Sequence, residues 1–365
     1  MTVSRLGVVG TGLIGASAAL AARRAGVARV TGWDADAEHL AVAAERGAVA
    51  PTSSIVDVVR DAELVVVAVP VGELPATVRE VLDRAPEGCT VTDVGSTKGP
   101  VAAVAGDDPR FVGGHPICGA ETRGPGRASA ELFEGATWFM TPTAATAPER
   151  LRQVHGFVTS LGARPVAIEP DAHDRLVAVT SHLPHVMANL LLNHAGSTRI
   201  DGHDPLQAAG GSLRDMTRIG GANPRVWVDI FLDNREALAR ALAEQRRLLE
   251  GVERALAAGD AGFLARWIGE ASGHRRRMLA TAFPDPGELH RLRIHIPDRP
   301  GILAGIFQAL GAARINVEDF ELDHVSAERG GTLTMLVSGE GEASRATELL
   351  EQQGYGVVAA PVIDE

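Results

Sequence analysis

The sequence predicts an α/β protein in which a doubly wound, mostly parallel sheet is followed by an all-helical domain and then by a small α+β domain. Three observations predict this fold class. Short apolar runs alternate with alanine- and arginine-rich stretches in the first half, the strand signal stops at about residue 170, and new strands begin after the segment FPDPGE. The predicted domains are 1–169, 170–282 and 289–365, with 283–288 as a linker.

Several runs in the first domain have the composition of strands. They are RLGVVG, RVTGWD, LVVVAVP, TVTDVG, RFVGGHP, TWFMTP and RPVAIEP. The run at 64–69 is almost wholly apolar. Such a run indicates a strand that is buried on both faces, as in parallel sheets that carry helices on both sides.

The middle domain carries a long helical stripe. Between Pro224 and Gly259 the apolar residues follow the spacing of one helix face. A helix with so long an apolar face and little sheet to cover it often packs on a helix of a second subunit, so we expect a homodimer. The last domain reads strand, helix, strand, strand, helix, strand, which is the ferredoxin-like order.

The composition excludes several classes of function. The chain has 365 residues, 45% of them hydrophobic, and a net charge of −11, which argues against a nucleic-acid or anionic-membrane surface. No apolar run approaches the roughly 20 residues of a membrane span. The two cysteines, Cys89 and Cys118, are too few for a disulfide framework, although Cys118 could act as a nucleophile or line a pocket. Since no secretory signal precedes the first strand, we expect a cytoplasmic protein.

A glycine motif predicts a nucleotide site. In VVGTGLIGAS, Gly10, Gly12 and Gly15 form G-x-G-x-x-G between a strand and a helix, where the second glycine lets a pyrophosphate approach the helix N-terminus. Asp34 ends the next strand, in the position that binds ribose hydroxyls and repels a 2′-phosphate. We therefore expect a Rossmann-like domain that binds NAD in preference to NADP. The predicted cofactor-binding residues are Gly10, Gly12, Leu13, Ile14, Gly15, Asp34, Val69, Pro70 and Lys98.

Two later loops carry residues suited to chemistry, at the sheet edge where ligands bind in such folds. TDVGSTKG supplies Ser96 and Lys98, and GGHPICGAETRG supplies His115 and Glu121. Lys98 is the single lysine among 35 cations, so we expect it where a compact charge is needed. A hydride can leave a carbinol carbon only if the hydroxyl proton is accepted, and a histidine such as His115 is the usual acceptor. Because arginines such as Arg218 suit carboxylates, the sequence predicts an oxidoreductase with an anionic substrate.

Simpler interpretations of these residues stay open. His115 could cap a turn, Trp227 could belong to an ordinary helix core, and Asp174 could begin a helix. His182 and His185 have the spacing of a metal-binding pair, but no third ligand stands at an expected offset, so we predict no metal site.

The motifs resemble those of a known family. GTGLIGAS, DVGSTKG, GGHPICGAETRG, TSHLPH and LRDMTRIGGANPRVW occur in the order seen in prephenate dehydrogenases, over roughly residues 5–280. The last domain resembles an ACT domain, with DRPGILAGIFQALGAARINVEDF as its signature. The resemblance implies an NAD-dependent oxidative decarboxylation of prephenate to 4-hydroxyphenylpyruvate, a step of tyrosine biosynthesis.

The resemblance also implies roles for single residues. His115 matches the histidine that accepts a hydrogen bond from the substrate's ring hydroxyl, and Ser96 matches a serine that bonds both groups. Arg218 matches the arginine that binds the ring carboxylate, and Lys98 falls in the loop under the nicotinamide. His185 matches a pocket histidine near the substrate, and His182 is also predicted to bind substrate. Glu121, Asp174 and Trp227 match residues that form or gate the pocket rim in some members.

The ACT resemblance implies an amino-acid effector, and we hypothesise that tyrosine binds there and lowers activity. A purely structural dimer module is the alternative. The residues that match effector positions are Asp298, Pro300, Gly301, Ile315 and Asn316. Two rival substrates remain within the family. Arogenate has an ammonium in place of the keto group, and 4-amino-4-deoxyprephenate has an amine in place of the ring hydroxyl. Outside the family, the rivals are a 2- or 3-hydroxyacid dehydrogenase and an NAD-binding redox regulator, for which no DNA-binding element is visible.

Overall fold

A computed structural model describes residues 3–118, 124–282, 288–326 and 330–362. The chain divides into two units, Met1–Arg246 and Arg247–Glu365. The first unit contains a large α/β sheet and most of the helical segment, and the second contains a four-stranded antiparallel sheet. The predicted fold class is confirmed. Within the described stretches, no helix combines the length and the apolar composition that crossing a bilayer requires.

The large sheet has the strand order β3-β2-β1-β4-β5-β6-β7-β8. The strands are β1 Arg5–Val9, β2 Arg29–Trp33, β3 Ala50–Pro51, β4 Leu64–Val67, β5 Thr90–Asp93, β6 Phe111–Ile117, β7 Thr137–Thr141 and β8 Arg164–Ala167. All neighbours are parallel except β6 and β7, which are antiparallel. The sequence did not predict β3, because two residues give no periodicity.

Helices cover both faces of this sheet. They are α1 Leu13–Arg24, α2 Ala37–Glu45, α3 Ile55–Val59, α4 Leu74–Arg84, α5 Gly99–Ala105 and α6 Pro148–Ser160. Side chains of β1 and β4 alternate between two apolar cores: Val8 and Val66 belong to one, and Val9 and Val67 to the other. The continuous apolar run in β4 is thus explained by burial on both faces.

The segment after β8 is helical in its described residues. Its helices are α7 Pro170–Val177, α8 Leu183–Ser197, α9 Gly211–Thr217, α10 Pro224–Asp233, α11 Arg235–Ala258 and α12 Ala261–Ala282. A single π-helical turn, Ala178–His182, joins α7 to α8, and such turns recur at functional sites. The stripe predicted as one helix is broken at Asn234, which has φ −102° and ψ 24° and is buried.

The second unit ends in a ferredoxin-like domain. Its elements are β9 Leu289–Ile296, α13 Ile302–Ala312, β10 Asp319–Ser326, β11 Gly330–Ser338, α14 Glu340–Gln352 and β12 Gly356–Pro361. The sheet order is β10-β11-β9-β12, with every pair antiparallel. Buried residues of β9 and β11, such as Ile294 and Leu333, pack against Ile306 of α13 and Leu350 of α14. The predicted order of strands and helices is confirmed.

Candidate active site

The glycine motif forms a cradle at the start of α1. Gly10 has φ +90°, and a Cβ built on it would lie 2.5 Å from the carbonyl oxygen of Ala68. A Cβ on Gly15 would lie 1.9 Å from the Gly10 carbonyl oxygen, so only glycine permits this approach of helix and strand. Gly12 instead faces open space within 4 Å. The backbone is therefore tight at the first and third glycines and open at the second, where a pyrophosphate would lie.

The residues around the cradle fit NAD. Leu13 and Ile14 form the first turn of α1, whose N-terminus has no side-chain cap and so keeps its N–H groups for an anion. Asp34 follows β2 and lies beside the cradle. Its carboxylate accepts a hydrogen bond from the Thr11 N–H at 2.5 Å. Val69 and Pro70 follow β4 at the same carboxyl edge of the sheet. An acidic residue next to the glycine turn suits ribose hydroxyls and opposes a 2′-phosphate.

A cleft of about 1230 Å³ opens beside β6. It is lined by strand residues around His115, by α7 and the π-helical turn, by His185 of α8 and by the loop 218–223 with Trp227 of α10. The described lining residues include Arg218 but no aspartate or glutamate. The cleft can therefore hold an anionic, partly apolar molecule against a histidine.

A buried ion pair fixes the backbone next to His115. Lys98 and Asp93 are both fully buried and paired with each other. The Lys98 ammonium also donates to the Gly114 carbonyl at 2.7 Å, and the Asp93 carboxylate accepts the Gly114 N–H at 3.0 Å. Burial lowers the pKa of Lys98, and the Asp93 carboxylate opposes that shift. Lys98 thus binds the protein itself, and its ammonium does not line the cleft.

Behind His115 stands a second, fully buried histidine. His115 Nδ1 lies 2.9 Å from His173 Nε2, and His173 Nδ1 lies 2.9 Å from an Asp174 carboxylate oxygen. The Asp174 carboxylate also accepts the backbone N–H groups of Lys98 at 2.8 Å and Gly99 at 2.7 Å, at the start of α5. Asp174 therefore lies beneath the cleft and not at its rim, where the sequence analysis expected it.

The histidines of the site have lowered pKa values. Burial, followed by His173, Lys98 and His182, holds the pKa of His115 well below its usual value. Burial also lowers the pKa of His182 to about 4, although the Asp174 carboxylate opposes the shift. Burial lowers the pKa of His185 too. The three rings are therefore neutral near pH 7, and a neutral histidine can accept a hydrogen bond.

The helical segment adds an aromatic wall. The ring of His185 stacks on Trp227, with centroids 3.5 Å apart and planes 30° apart. The Nδ1 atom of His185 is buried without a hydrogen-bond partner in the described structure. Beneath this wall, the Asn234 side-chain amide donates to the Asp174 carbonyl at 2.8 Å and lies 3.1 Å from His182 Nδ1. The break between α10 and α11 thus places an amide that ties three helical elements together.

The structure does not join all the predicted residues. Ser96 is half-buried and forms no side-chain hydrogen bond to another described residue, so its contact with His115 stays a prediction. Glu121 lies outside the described residues. Burial raises the pKa of Cys118 to about 11, so its thiol stays protonated near pH 7 and is not an activated nucleophile. In the described chain, no group of three His, Cys, Asp or Glu side chains is arranged to hold a metal ion.

The predicted effector residues flank α13. Asp298, Pro300 and Gly301 precede the helix, and Gly301 caps its N-terminus with φ +88°. Ile315 is buried in the core, and the exposed Asn316 donates to the Glu318 carboxylate at 2.8 Å.

Sequence reasoning missed two residues of the site, His173 and Asn234. His173 stands directly before Asp174 in DAHDRL, and His-Asp neighbours near the start of a helix were a signal that could have found it. Asn234 in FLDNREAL had a weaker signal, since asparagine favours helix ends.

A Rossmann-like sheet with a fitted NAD cradle, and a histidine-bearing cleft in the same unit, define the class: the protein is an NAD-dependent dehydrogenase. Family models agree. The model for the prephenate dehydrogenase nucleotide-binding domain matches residues 18–167, that for the prephenate dehydrogenase dimerization domain matches 169–270, and the ACT domain model matches 290–354. The chain belongs to the prephenate dehydrogenase family.

Individual relatives cover most of the chain. Prephenate dehydrogenase of Bacillus subtilis is 28% identical over 353 residues, which are 94% of this chain and 95% of the relative. Cyclohexadienyl dehydrogenase of Zymomonas mobilis is 31% identical over 228 residues, 61% of this chain and 78% of the relative. A crystal structure of prephenate dehydrogenase from A. aeolicus, in complex with hydroxyphenyl propionate and NAD+, has a TM-score of 0.71 at 29% identity and covers 76% of this chain and 99% of that one.

Proposed function

We propose that the protein catalyses the NAD+-dependent oxidative decarboxylation of prephenate to 4-hydroxyphenylpyruvate. One observation carries the proposal: a neutral histidine, His115, and an arginine, Arg218, line one cleft that has no acidic side chain among its described residues. Prephenate needs this combination, because it has one hydroxyl to be polarised and two carboxylates to be bound.

In the proposed reaction, His115 polarises the substrate hydroxyl while the hydride and CO₂ leave the ring. His115 accepts a hydrogen bond from the hydroxyl on ring C4, which favours departure of the hydride from that carbon. Bound NAD+ supplies the acceptor for this hydride. The bond from ring C1 to its carboxylate then breaks, CO₂ leaves, and the bonding electrons complete the aromatic ring. Unlike a simple carbinol oxidised to a ketone, the substrate keeps its hydroxyl proton as the phenol of the product, because decarboxylation supplies the electrons that complete the ring. His115 therefore has only to polarise the hydroxyl.

Residues around His115 bind the substrate in this proposal. We infer that Arg218 pairs with the ring carboxylate, as a guanidinium suits that group. His185 lines the cleft from its stack on Trp227, so its ring is suited to a polar substrate group. Ser96 is assigned the hydrogen bond to the C4 hydroxyl. These roles rest on the resemblance and on the position of each residue.

Prephenate is favoured over arogenate by the charges of the cleft. Arogenate carries an ammonium, and the described lining offers no carboxylate to pair with it. Glu121, the acid nearest in sequence, lies outside the described residues. In 4-amino-4-deoxyprephenate an amine replaces the C4 hydroxyl, and the neutral ring of His115 can accept a hydrogen bond from either group, so measured rates decide between these two substrates.

Initial rates of NAD+ reduction with prephenate, arogenate and 4-amino-4-deoxyprephenate test the proposal. We expect strong turnover of prephenate and a fall in kcat of about 10²–10⁴-fold in His115→Asn. His155→Asn is the matched control, since His155 is exposed on α6. Turnover of arogenate alone would keep the chemistry and reject the substrate, whereas full activity of His115→Asn would reject the mechanism.

The ACT domain is a candidate site for regulation by an amino acid. We propose that tyrosine binds at Asp298–Gly301 and Ile315–Asn316 of the ACT domain and lowers activity. We also propose that the protein is a homodimer and that it works in the cytoplasm. Asn316→Ala in the full chain should weaken inhibition by tyrosine, and Glu348→Ala on the exposed side of α14 should not. Equal tyrosine inhibition in both variants would contradict this site. Sedimentation of the full chain measures the number of subunits.

A further inference from the structure

The hydrogen-bond chain behind His115 fixes more than the position of its ring. His173 is fully buried, and its two ring nitrogens face His115 Nδ1 on one side and the Asp174 carboxylate on the other, each at 2.9 Å. The rings of His173 and Phe139 also make a T-shaped contact, with centroids 5.5 Å apart. The ring of His173 is therefore held on three sides, and no described residue supplies another partner for its nitrogens.

The positions of the protons follow from the end of this chain. An ionised carboxylate can only accept, so the Nδ1 atom of His173 must carry a proton toward Asp174. When His173 carries only this proton, its Nε2 atom has a lone pair. Two lone pairs cannot face each other at hydrogen-bond distance, so the proton between the rings belongs to His115 Nδ1.

We propose that His173 and Asp174 are positioning residues that hold the proton of His115 on Nδ1 and thereby present its Nε2 to the cleft as a hydrogen-bond acceptor. This inference rests on the proposed function of His115, because only an acceptor can polarise the substrate hydroxyl. A free neutral imidazole can carry its proton on either nitrogen. Without His173, the ring of His115 would populate the form in which Nε2–H is a donor, which cannot accept from a hydroxyl.

Asp174 is in turn held by the backbone of the nucleotide-binding half. Its carboxylate accepts the N–H groups of Lys98 and Gly99, and its carbonyl accepts from the buried Asn234 amide. With the Nδ1–H group of His173 as the third donor, these hydrogen bonds hold the carboxylate in one rotamer. The direction of every hydrogen bond in the chain is therefore set from its buried end.

A matched pair of amide substitutions separates the relay from packing. In His173→Asn the amide reaches only as far as Nδ1 of the histidine, so it can bond Asp174 but not His115. In His173→Gln, which is longer by one methylene, the amide oxygen reaches the position of Nε2 and can accept from His115 Nδ1–H while the NH₂ group donates to Asp174. Both variants keep a polar group on Asp174, and the full chain is used in each case.

The expected results concern both kinetics and the ring itself. We expect His173→Asn to lower kcat for prephenate about 10²–10³-fold, with KM changed less than about 3-fold, and His173→Gln to restore most of the loss. The ring ¹⁵N shifts of His115, assigned by their loss in His115→Asn, should report Nδ1–H in the wild type and in His173→Gln. In His173→Asn they should report Nε2–H.

Other outcomes overturn the inference. They are an Nε2–H tautomer of His115 in the wild type, an unchanged tautomer in His173→Asn, and equal kinetic losses in the two amide variants with unchanged melting temperatures. If His173→Asn does not fold, the wild-type and His173→Gln spectra still decide the tautomer. The ring shifts are read without substrate, so they test the relay even if prephenate is not turned over, and a failure of the proposed function is recognised separately.

Discussion

Replacing Lys98 by methionine should cost the first domain several kilocalories per mole. The ammonium of Lys98 is fully buried and has two acceptors, the Asp93 carboxylate and the Gly114 carbonyl. Methionine fills a similar volume but leaves the Asp93 carboxylate buried without its cation. Removing one partner of a buried ion pair costs about 3–5 kcal/mol. Asp93 keeps the N–H groups of Gly95 at 2.8 Å and Gly114 at 3.0 Å, so we expect about 3 kcal/mol, the lower end of that range.

Thermal unfolding measures this loss. A domain of this size shifts by about 2–4 °C per kcal/mol, so Lys98→Met should lower the Tm of the first transition by about 6–12 °C. The matched control is Arg84→Met, which removes the cation of the exposed pair between Arg84 and Glu80 on α4. An exposed pair of this kind contributes about 0–1 kcal/mol, so the control should shift Tm by less than about 4 °C.

A double-mutant cycle shows whether the pair itself is responsible. Asp93→Asn combined with Lys98→Met should be less destabilising than the sum of the single variants, because each single variant leaves an uncompensated buried group. Equal Tm shifts for Lys98→Met and Arg84→Met, or strict additivity in the cycle, would refute the role of Lys98 as a buried anchor. Lys98→Arg should not rescue, since the larger planar guanidinium has no room in a fully buried site.

Three other predictions concern cofactor, substrate and pH. Asp34→Ala should raise KM for NAD+ about 10-fold and allow use of NADP+, as measured by initial rates with both cofactors. Arg218→Gln should raise KM for prephenate about 10–100-fold, because one charge-assisted hydrogen bond to the substrate is lost, and kcat should change less. Burial lowers the pKa of His182 from its usual value of 6.5 to about 4, so as pH falls between these values the unfolded chain binds a proton that the folded chain does not. Stability should therefore fall by about 3 kcal/mol over that window, and Tm against pH should be flatter in His182→Gln.

Local patterns were sufficient to predict most of the fold. The strands β1, β2 and β4 to β8 were recognised because four to seven residues of apolar and β-branched character are a local signal. The ferredoxin-like domain was recognised from its alternation of strands and helices. The break at Asn234 was missed because the hydrophobic periodicity continues across it. Ile230 before the break and Leu238 after it are both buried. One helix-ending residue is too small a signal to interrupt a stripe of that length.

The site was less predictable, because its contacts are distant in sequence. The sequence identified His115 and Asp174, but His173, which lies 58 residues from His115, connects them. Lys98 was singled out from the composition, and its expected place under the nicotinamide stays a prediction. The structure gives it a buried partner, Asp93, five residues away. Composition can indicate that one lysine is special. It cannot indicate which carboxylate will share its cavity.

Two carboxylates connect His115 to the same residue, Lys98. Asp93 connects the side chain of Lys98 to the Gly114 N–H, one residue before His115. Asp174 connects the backbone N–H of Lys98 to His173 and so to the ring of His115. The backbone and the ring of the histidine are thus held by separate paths that meet at one residue of the nucleotide-binding half. Since Asp174 belongs to α7, its hydrogen bonds to Lys98 and Gly99 form only when α7 packs against the start of α5, and this packing couples the helical segment that lines the cleft to the loop before α5.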